Sequence, residues 1–166
     1  MPLKLDEKDL AILALIQENS QLTAKQIAKK IDAPLTTVFA KIKRMQDQGI
    51  IKSYRAILAP EKLGVGTSAF ILVSVSYQSK TDGLPISQRT VAEEIARFAE
   101  VQEVHIITGD WDLLIKLQAT SVDSIGKFVV DKLRPIKGLE KTLTCMIFET
   151  VKESTSVALP IKRTSK

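Results

Sequence analysis

The chain has 166 residues, 45% of them hydrophobic, with 24 Lys/Arg against 19 Asp/Glu for a net charge of +5. That length supports one domain or two small ones with a sizeable core; no apolar run approaches membrane-spanning length, and Met1-Pro2-Leu3-Lys4 followed by Asp6, Glu7 and Asp9 lacks a signal-peptide core, so a cytoplasmic chain is expected. One cysteine, Cys145, excludes an intramolecular disulfide and a cysteine-based metal site, and one histidine, His105, cannot build a metal site.

Asp6 caps a first helix running to about Glu18, with Asp9 in the first turn, where negative charge favours the helix dipole. Leu10, Leu13 and Ala14 form the stripe expected to face the following helices. Leu5, Ile12, Leu15 and Ile16 project elsewhere and need a second surface, from a distal domain or a partner subunit.

Thr23 with Gln26 three residues on is a capping box, and Leu22 is placed to staple onto Ile27. The helix so started carries Ile27, Ala28 and Ile31 on one face and breaks at Asp32-Ala33-Pro34. A further helix begins almost at once, with Val38, Ile42 and Met45 as its buried stripe and Gly49 as its C-terminal stop. Its outward face is small and hydrogen-bonding at first, then cationic. Thr36, Thr37 and Ala40 are placed to meet bases in a major groove and Lys43 and Arg44 to meet phosphates, with Lys41 and Lys52 as supplements. The segment Ile50–Leu58 is expected to be the strand of a wing. Charge agrees with this reading: 10 of the 24 Lys/Arg and 6 of the 19 Asp/Glu precede residue 61, which places +4 of the +5 on the candidate reader.

Pro60 to Gly66 is the expected connection to a second domain. Thr67–Tyr77 is apolar on both faces and is expected to be a central strand. A loop over Lys80–Pro85 precedes a helix from Ile86 to Ala99 with Val91, Ile95 and Phe98 at helical spacing. Strands follow at Val101–Thr108 and Asp112–Ala119, then a helix capped by Ser121 with Val122, Ile125, Val129 and Leu133, and a last strand at Lys141–Lys152. The order βαββαβ predicts a ferredoxin-like domain with helices on one sheet face, the other face covered most economically by a second copy. The tail from Glu153, mixed in Ser, Thr, Pro and basic residues, is expected to be frayed.

Outside the reader, polar chemistry concentrates in Thr108-Gly109-Asp110-Trp111-Asp112. Backbone N–H groups at a glycine turn can meet a carboxylate, and aspartates can accept from an ammonium, the complement of an amino-acid zwitterion. Glycine beside aspartate is equally ordinary hairpin chemistry. Thr142 and Thr144 share one face of the last strand and can add hydroxyl contacts. The chain has no glycine-rich phosphate loop and no nucleophile elbow.

The segments LDEKDLAILALIQENSQLTAKQIAKKI, LTTVFAKIKRMQDQGIIKSYRAILAPEKLG, AFILVSV, TGDWDLLIKL and KTLTCMIFETVKES together resemble the Lrp/AsnC family of leucine-responsive and asparagine-synthesis regulators, from Leu5 to about Ser154. The resemblance implies an α+β chain. A winged helix-turn-helix would occupy residues 1–60 and a linker 61–66. A ferredoxin-like, amino-acid-sensing domain would occupy residues 67–152 and a tail 153–166. It implies double-stranded operator DNA and a small amino acid as partners, dimers formed sheet to sheet and assembling toward octamers, no cofactor, no enzyme activity, and a cytoplasmic, nucleoid-associated site of action. The effector turn would be Thr108 to Asp112, with Thr142 and Thr144 lining the pocket. Pro34 stands where the family often has a capping serine, which moves the expected N-cap to Thr36, and Trp111 stands where tyrosine or phenylalanine is usual. Siroheme decarboxylases resemble this architecture too and supply the enzyme alternative; an effector module with a vestigial reader is the other.

Overall fold

A computed structural model describes residues 4–78 and 83–160. The chain divides into two compact units, one made of residues up to Ile57 together with the segment from Glu153, the other of residues 58–152. The expected loop over Lys80–Pro85 lies partly outside the described residues, as do the last basic residues of the tail.

The first unit holds α1 (Glu7–Glu18), α2 (Ala24–Lys30) and α3 (Leu35–Asp47). Both expected helix starts are present as reciprocal capping boxes, Asp6 with Asp9 and Thr23 with Gln26, each satisfying two backbone N–H groups that a helix terminus otherwise leaves open. The core is aliphatic: Ile12, Leu13, Ile27, Ala28, Val38 and Met45 are buried, and Leu5, Leu15, Leu22, Ile42, Ile50 and Ile51 pack around them. Ile12 therefore faces inward and Leu10 only half so, correcting the expected α1 stripe. Asp9 is itself buried, and residues 9, 12 and 13 share the inner face at helical spacing.

Two further expectations are corrected. Ile50–Leu58 forms no strand; Tyr54, Ile57 and Leu58 are exposed, and no wing hairpin closes among the described residues. The described part of the tail is tethered to the first unit. Gln17 donates from Nε2 to the Val157 carbonyl at 3.2 Å and accepts from its N–H at 2.7 Å, and Leu159 joins the helical core. A side chain 140 positions earlier in the chain thus substitutes for the missing backbone partner.

The second unit is a four-stranded antiparallel sheet ordered β2-β3-β1-β4, from β1 (Thr67–Val75), β2 (Val101–Ile106), β3 (Leu113–Ala119) and β4 (Leu139–Met146). The expected last strand is shorter at its far end, with Phe148 and Val151 exposed beyond it. Helix α4 (Gln88–Ile95) and helix α5 (Val122–Lys127), which continues in a π-type turn over Phe128–Leu133, supply the cover for one face. On that face Ala69, Ile71 and Val73 of β1 and Leu113, Ile115 and Leu117 of β3 are fully buried, each large side chain stabilising the fold by about 1.5–3 kcal/mol. Phe98 meets Phe128 edge to face at 5.4 Å, and Lys132 lies over both rings and is paired with Glu100. The opposite sheet face carries Phe70, Leu72, Leu114 and Leu143, in register across the strands and only partly covered.

Candidate nucleic-acid interface and effector turn

The turn between α2 and α3 is made by Asp32, with φ of 48°, and by the Ala33 N–H donating to the Ala28 carbonyl at 3.0 Å. Pro34 occupies the N-cap of α3 and offers no side-chain hydrogen bond; the expected shift of the cap to Thr36 does not occur, because Leu35 already lies in the helix. The first N–H groups of α3 are therefore not covered by a capping side chain, an electropositive end suited to an anion. Gly49, with φ of 68°, follows the helix as the left-handed terminator.

Val38 and Met45 turn inward. Thr36, Ala40 and Lys43 are exposed and Thr37 half-exposed, as their spacing predicts. Phe39, which no sequence stripe singled out, stands on the same side with 60% of its surface exposed. The remaining two cations are engaged within the protein. Asp9, with its side chain 1% exposed, accepts from Lys41 Nζ at 3.0 Å, from an Arg44 guanidinium nitrogen at 2.6 Å and from the Asp6 N–H at 2.9 Å, and Lys41 also pairs with Asp6. Lys41 is only 15% exposed and Arg44 43%. Burial alone would push the Lys41 ammonium down, but hydrogen bonds to Asp6 and Asp9 outweigh it and raise it above its usual value. The same bond from Lys41, aided by the Asp9 N–H, holds the Asp6 carboxyl down at about 2. Lys41 and Arg44 thus tie α3 to α1. Exposed cations near this helix pair include Lys43 on α3, Lys25, Lys29 and Lys30 on α2, and Lys52 after α3.

In the second unit, Thr108 to Asp112 connects β2 to β3, with Gly109 at φ of 119°. Asp112 is not free at this turn. Its carboxylate accepts from the Val75 N–H at 2.7 Å, from the Tyr77 hydroxyl at 2.8 Å and from the Gln88 side-chain amide, while its own N–H donates to the Val73 carbonyl at 2.9 Å. Burial would raise its carboxyl, but those hydrogen bonds prevail and hold it below the ordinary range; the bond to Asp112 in turn raises the Tyr77 hydroxyl. Asp112 therefore clamps the turn to the end of β1 and the start of α4. Thr108, Gly109 and Asp110 are exposed and Trp111 half-buried. Tyr77 and Gln88 escaped sequence reasoning because each is remote from the turn in the chain and matches no motif.

Thr142 pairs with Val73, which pairs with Leu113, so Thr142 lies in the row that begins just after the turn, two strand spacings away; Thr144 lies two residues further along β4. Both threonines take the helix-covered side of the sheet, since Val73 and Ile71 opposite them are core residues. A shallow depression of about 480 Å³ is lined by Arg134, Leu139, Glu140, Lys141 and Thr142, and a second, of about 400 Å³, by α4 and β2 residues including Arg89, Glu93 and His105. His105 bonds Glu103 at 3.0 Å, the satisfied ring expected of a lone strand histidine. Among the described residues no group of three or more His, Cys, Asp or Glu is placed to hold a metal, and no helix is long and apolar enough to cross a membrane.

Residues 5–52 match the model of a winged helix-turn-helix DNA-binding domain, and residues 68–157 match that of the Lrp/AsnC ligand-binding domain. An HTH-type transcriptional regulator of Pyrococcus horikoshii is 41% identical over 153 residues, covering 92% of this chain and 99% of the relative. The HTH-type transcriptional regulator FL11 of the same organism is 32% identical over 162 residues, covering 98% and 100%. A transcriptional regulator of Neisseria meningitidis in complex with L-Met superposes with a TM-score of 0.85 at 27% identity, covering 95% of this chain and 98% of the other. Escherichia coli AsnC, at 22% identity, shares the fold with a TM-score of 0.81 over 93% and 99%.

Proposed function

We propose that this chain, which belongs to the Lrp/AsnC family of HTH-type transcriptional regulators, inserts the N-terminal turns of α3 into a major groove and couples that contact to an amino acid held by its ligand-binding domain. Regulation rather than catalysis is its activity, as its relatives' names and its DNA-binding domain show. The observation that carries the DNA arrangement is the exposed ridge of Thr36, Phe39, Ala40 and Lys43 at the uncapped end of α3. Thr36, Thr37 and Ala40 meet base edges and Lys43 meets phosphate, joined by Lys25, Lys29, Lys30 and Lys52. Lys41 and Arg44 act chiefly by fixing α3 against α1 through Asp9, with the exposed part of Arg44 left to reach a phosphate.

The effector is a small amino acid, as the L-Met complex of the Neisseria relative suggests. Its carboxylate would meet backbone N–H groups of the Gly109 turn and its ammonium the exposed Asp110, with Trp111 alongside and Thr142 and Thr144 contributing hydroxyls. Asp112 positions the turn, because three hydrogen bonds within the protein already engage both of its oxygens. The open sheet face with Phe70, Leu72, Leu114 and Leu143 supports a homodimer formed face to face, a stage toward higher assemblies such as octamers. Such a protein acts in the cytoplasm, on nucleoid DNA.

The test is fluorescence anisotropy of the full chain on its own upstream DNA and on a scrambled duplex, titrated with salt and repeated with pooled amino acids. Salt-dependent binding to both duplexes, tighter to the upstream DNA and altered by one pool, is expected. No binding to either duplex at low salt would overturn the reading.

A further inference from the structure

The first two turns of a recognition helix reach the base edges. In α3 these turns are Leu35-Thr36-Thr37-Val38-Phe39-Ala40-Lys41, and the one long polar side chain in them, Lys41, is turned away to Asp6 and Asp9. The bidentate pairings that identify guanine and adenine, and the carboxylate contact that identifies cytosine, are therefore unavailable there. The hydroxyls of Thr36 and Thr37 can bond more than one base and identify none, so the base these turns can single out is thymine, whose 5-methyl group in the major groove is recognised by apolar contact.

The structure supplies that apolar surface. Leu35 is 42% and Phe39 60% exposed, one helical turn apart on one ridge, with Thr36 and Ala40 exposed beside them. A helical side chain leans over the preceding turn, which directs the Phe39 ring toward the N-terminal end of α3. The ring is not part of the fold's cohesion: the buried residues of this unit are aliphatic, apart from Asp9, and pack without it. The next residue on its ridge is the exposed Lys43, and α2 adds the exposed Lys25, Lys29 and Lys30. An apolar patch ending in cations fits a polyanion with methyl groups on its floor better than a second copy of the same cationic surface.

We infer that Phe39, with the methyl groups of Thr36 and Ala40, reads thymine 5-methyl groups in the major groove, so that each half-site carries thymine opposite the first two turns of α3. This inference rests on the DNA-reading role proposed above.

The experiment begins by selecting duplexes from a random library with the full chain. Each thymine of the preferred site is then replaced singly by deoxyuridine, which lacks only the 5-methyl group, and affinities are measured at fixed salt for the native chain and for Phe39→Ala. At least one replacement should weaken native binding about fourfold, the worth of one buried methyl-sized group. In Phe39→Ala that penalty should fall below twofold, with unchanged salt slope and unchanged circular dichroism. Preferential binding that is indifferent to every deoxyuridine would overturn the thymine reading while leaving DNA recognition intact. A deoxyuridine penalty that persists in full in Phe39→Ala would remove Phe39 from the contact. A change in sedimentation of Phe39→Ala without any change in the penalty would assign the ring to a second copy instead. No salt-dependent binding to any duplex would overturn the DNA-reading role and this inference with it.

Discussion

Lys41→Met tests whether the buried end of the α1–α3 contact is a structural ion cluster or part of a DNA surface. The substitution keeps most of the side-chain volume and removes the charge. Asp9, 1% exposed, then loses one of its two cationic partners and retains Arg44 and the Asp6 N–H. Stripping a buried charge of its only partner costs about 3–5 kcal/mol. With a second cation and a backbone donor still in place, about 1–3 kcal/mol is expected, the cost of one buried acceptor site left unmet. For a unit this small about 5 kcal/mol of total stability is typical, so the loss is a substantial fraction and corresponds to about 5–15 °C in the melting of the helical unit. Thermal unfolding followed by circular dichroism measures the loss, and hydrogen exchange of α1 and α3 amides localises it. The triple change Asp9→Leu, Lys41→Met, Arg44→Met should recover most of the stability, because an apolar replacement of the whole cluster leaves no orphaned charge. A melting change under about 2 °C for Lys41→Met, with the salt slope of DNA binding reduced by about one, would refute this reasoning and return Lys41 to the phosphate contacts.

Four other outcomes follow from the geometry. Asp110→Asn should abolish the response to the effective amino-acid pool while leaving melting and basal DNA binding unchanged, whereas Asp112→Asn should lower the melting of the sheet unit by weakening its bonds to Val75, Tyr77 and Gln88; calorimetry with the two variants separates a ligand contact from a clamp. Both Asp6 and Asp112 have carboxyls held below their unfolded values, so their contributions are present above about pH 4 and vanish as pH falls through the lower folded values, to about 2 for Asp6; acid titration of melting should show that loss, and Asp112→Asn should flatten it in the sheet unit. Gln17→Ala should lower the melting of the helical unit by about 1 kcal/mol equivalent and free the tail to proteolysis, since Gln17 holds both backbone groups of Val157; equal cleavage rates in the two proteins would refute the tether. Gly138→Ala should destabilise the sheet unit by about 2 kcal/mol or more, as φ is 92° and an added Cβ would lie 2.6 Å from Ile86 Cγ2, which chemical denaturation measures.

Much of the molecule was legible in the sequence because its determinants are local. Capping boxes at Asp6 and Thr23, the break at Asp32-Ala33-Pro34, the Gly49 terminator and the βαββαβ order each depend on neighbours a few residues apart, and the structure contains each of them. The outward position of Thr36, Ala40 and Lys43 followed from helical periodicity in the same way. What escaped was decided across the chain. A first-turn acid such as Asp9 has the same local signature whether it is solvated or buried; it is buried because Lys41 and Arg44, more than 30 residues later, reach it. The same contact engages two of the cations expected at DNA, Lys41 almost wholly and Arg44 in part. The wing strand failed for a related reason: Ile50–Leu58 has strand-like residues, but a strand needs a neighbour to bond, and among the described residues the chain offers none. Asp112 acquired its clamp from Val75, Tyr77 and Gln88, and the tail its anchor from Gln17. Sequence by itself determined the helices, the order of elements along the chain and the chemistry each surface carries, since these rest on local propensity and periodicity. Tertiary structure alone decided which charges are spent inside the protein, because desolvation and ion pairing depend on what the fold brings within about 3 Å.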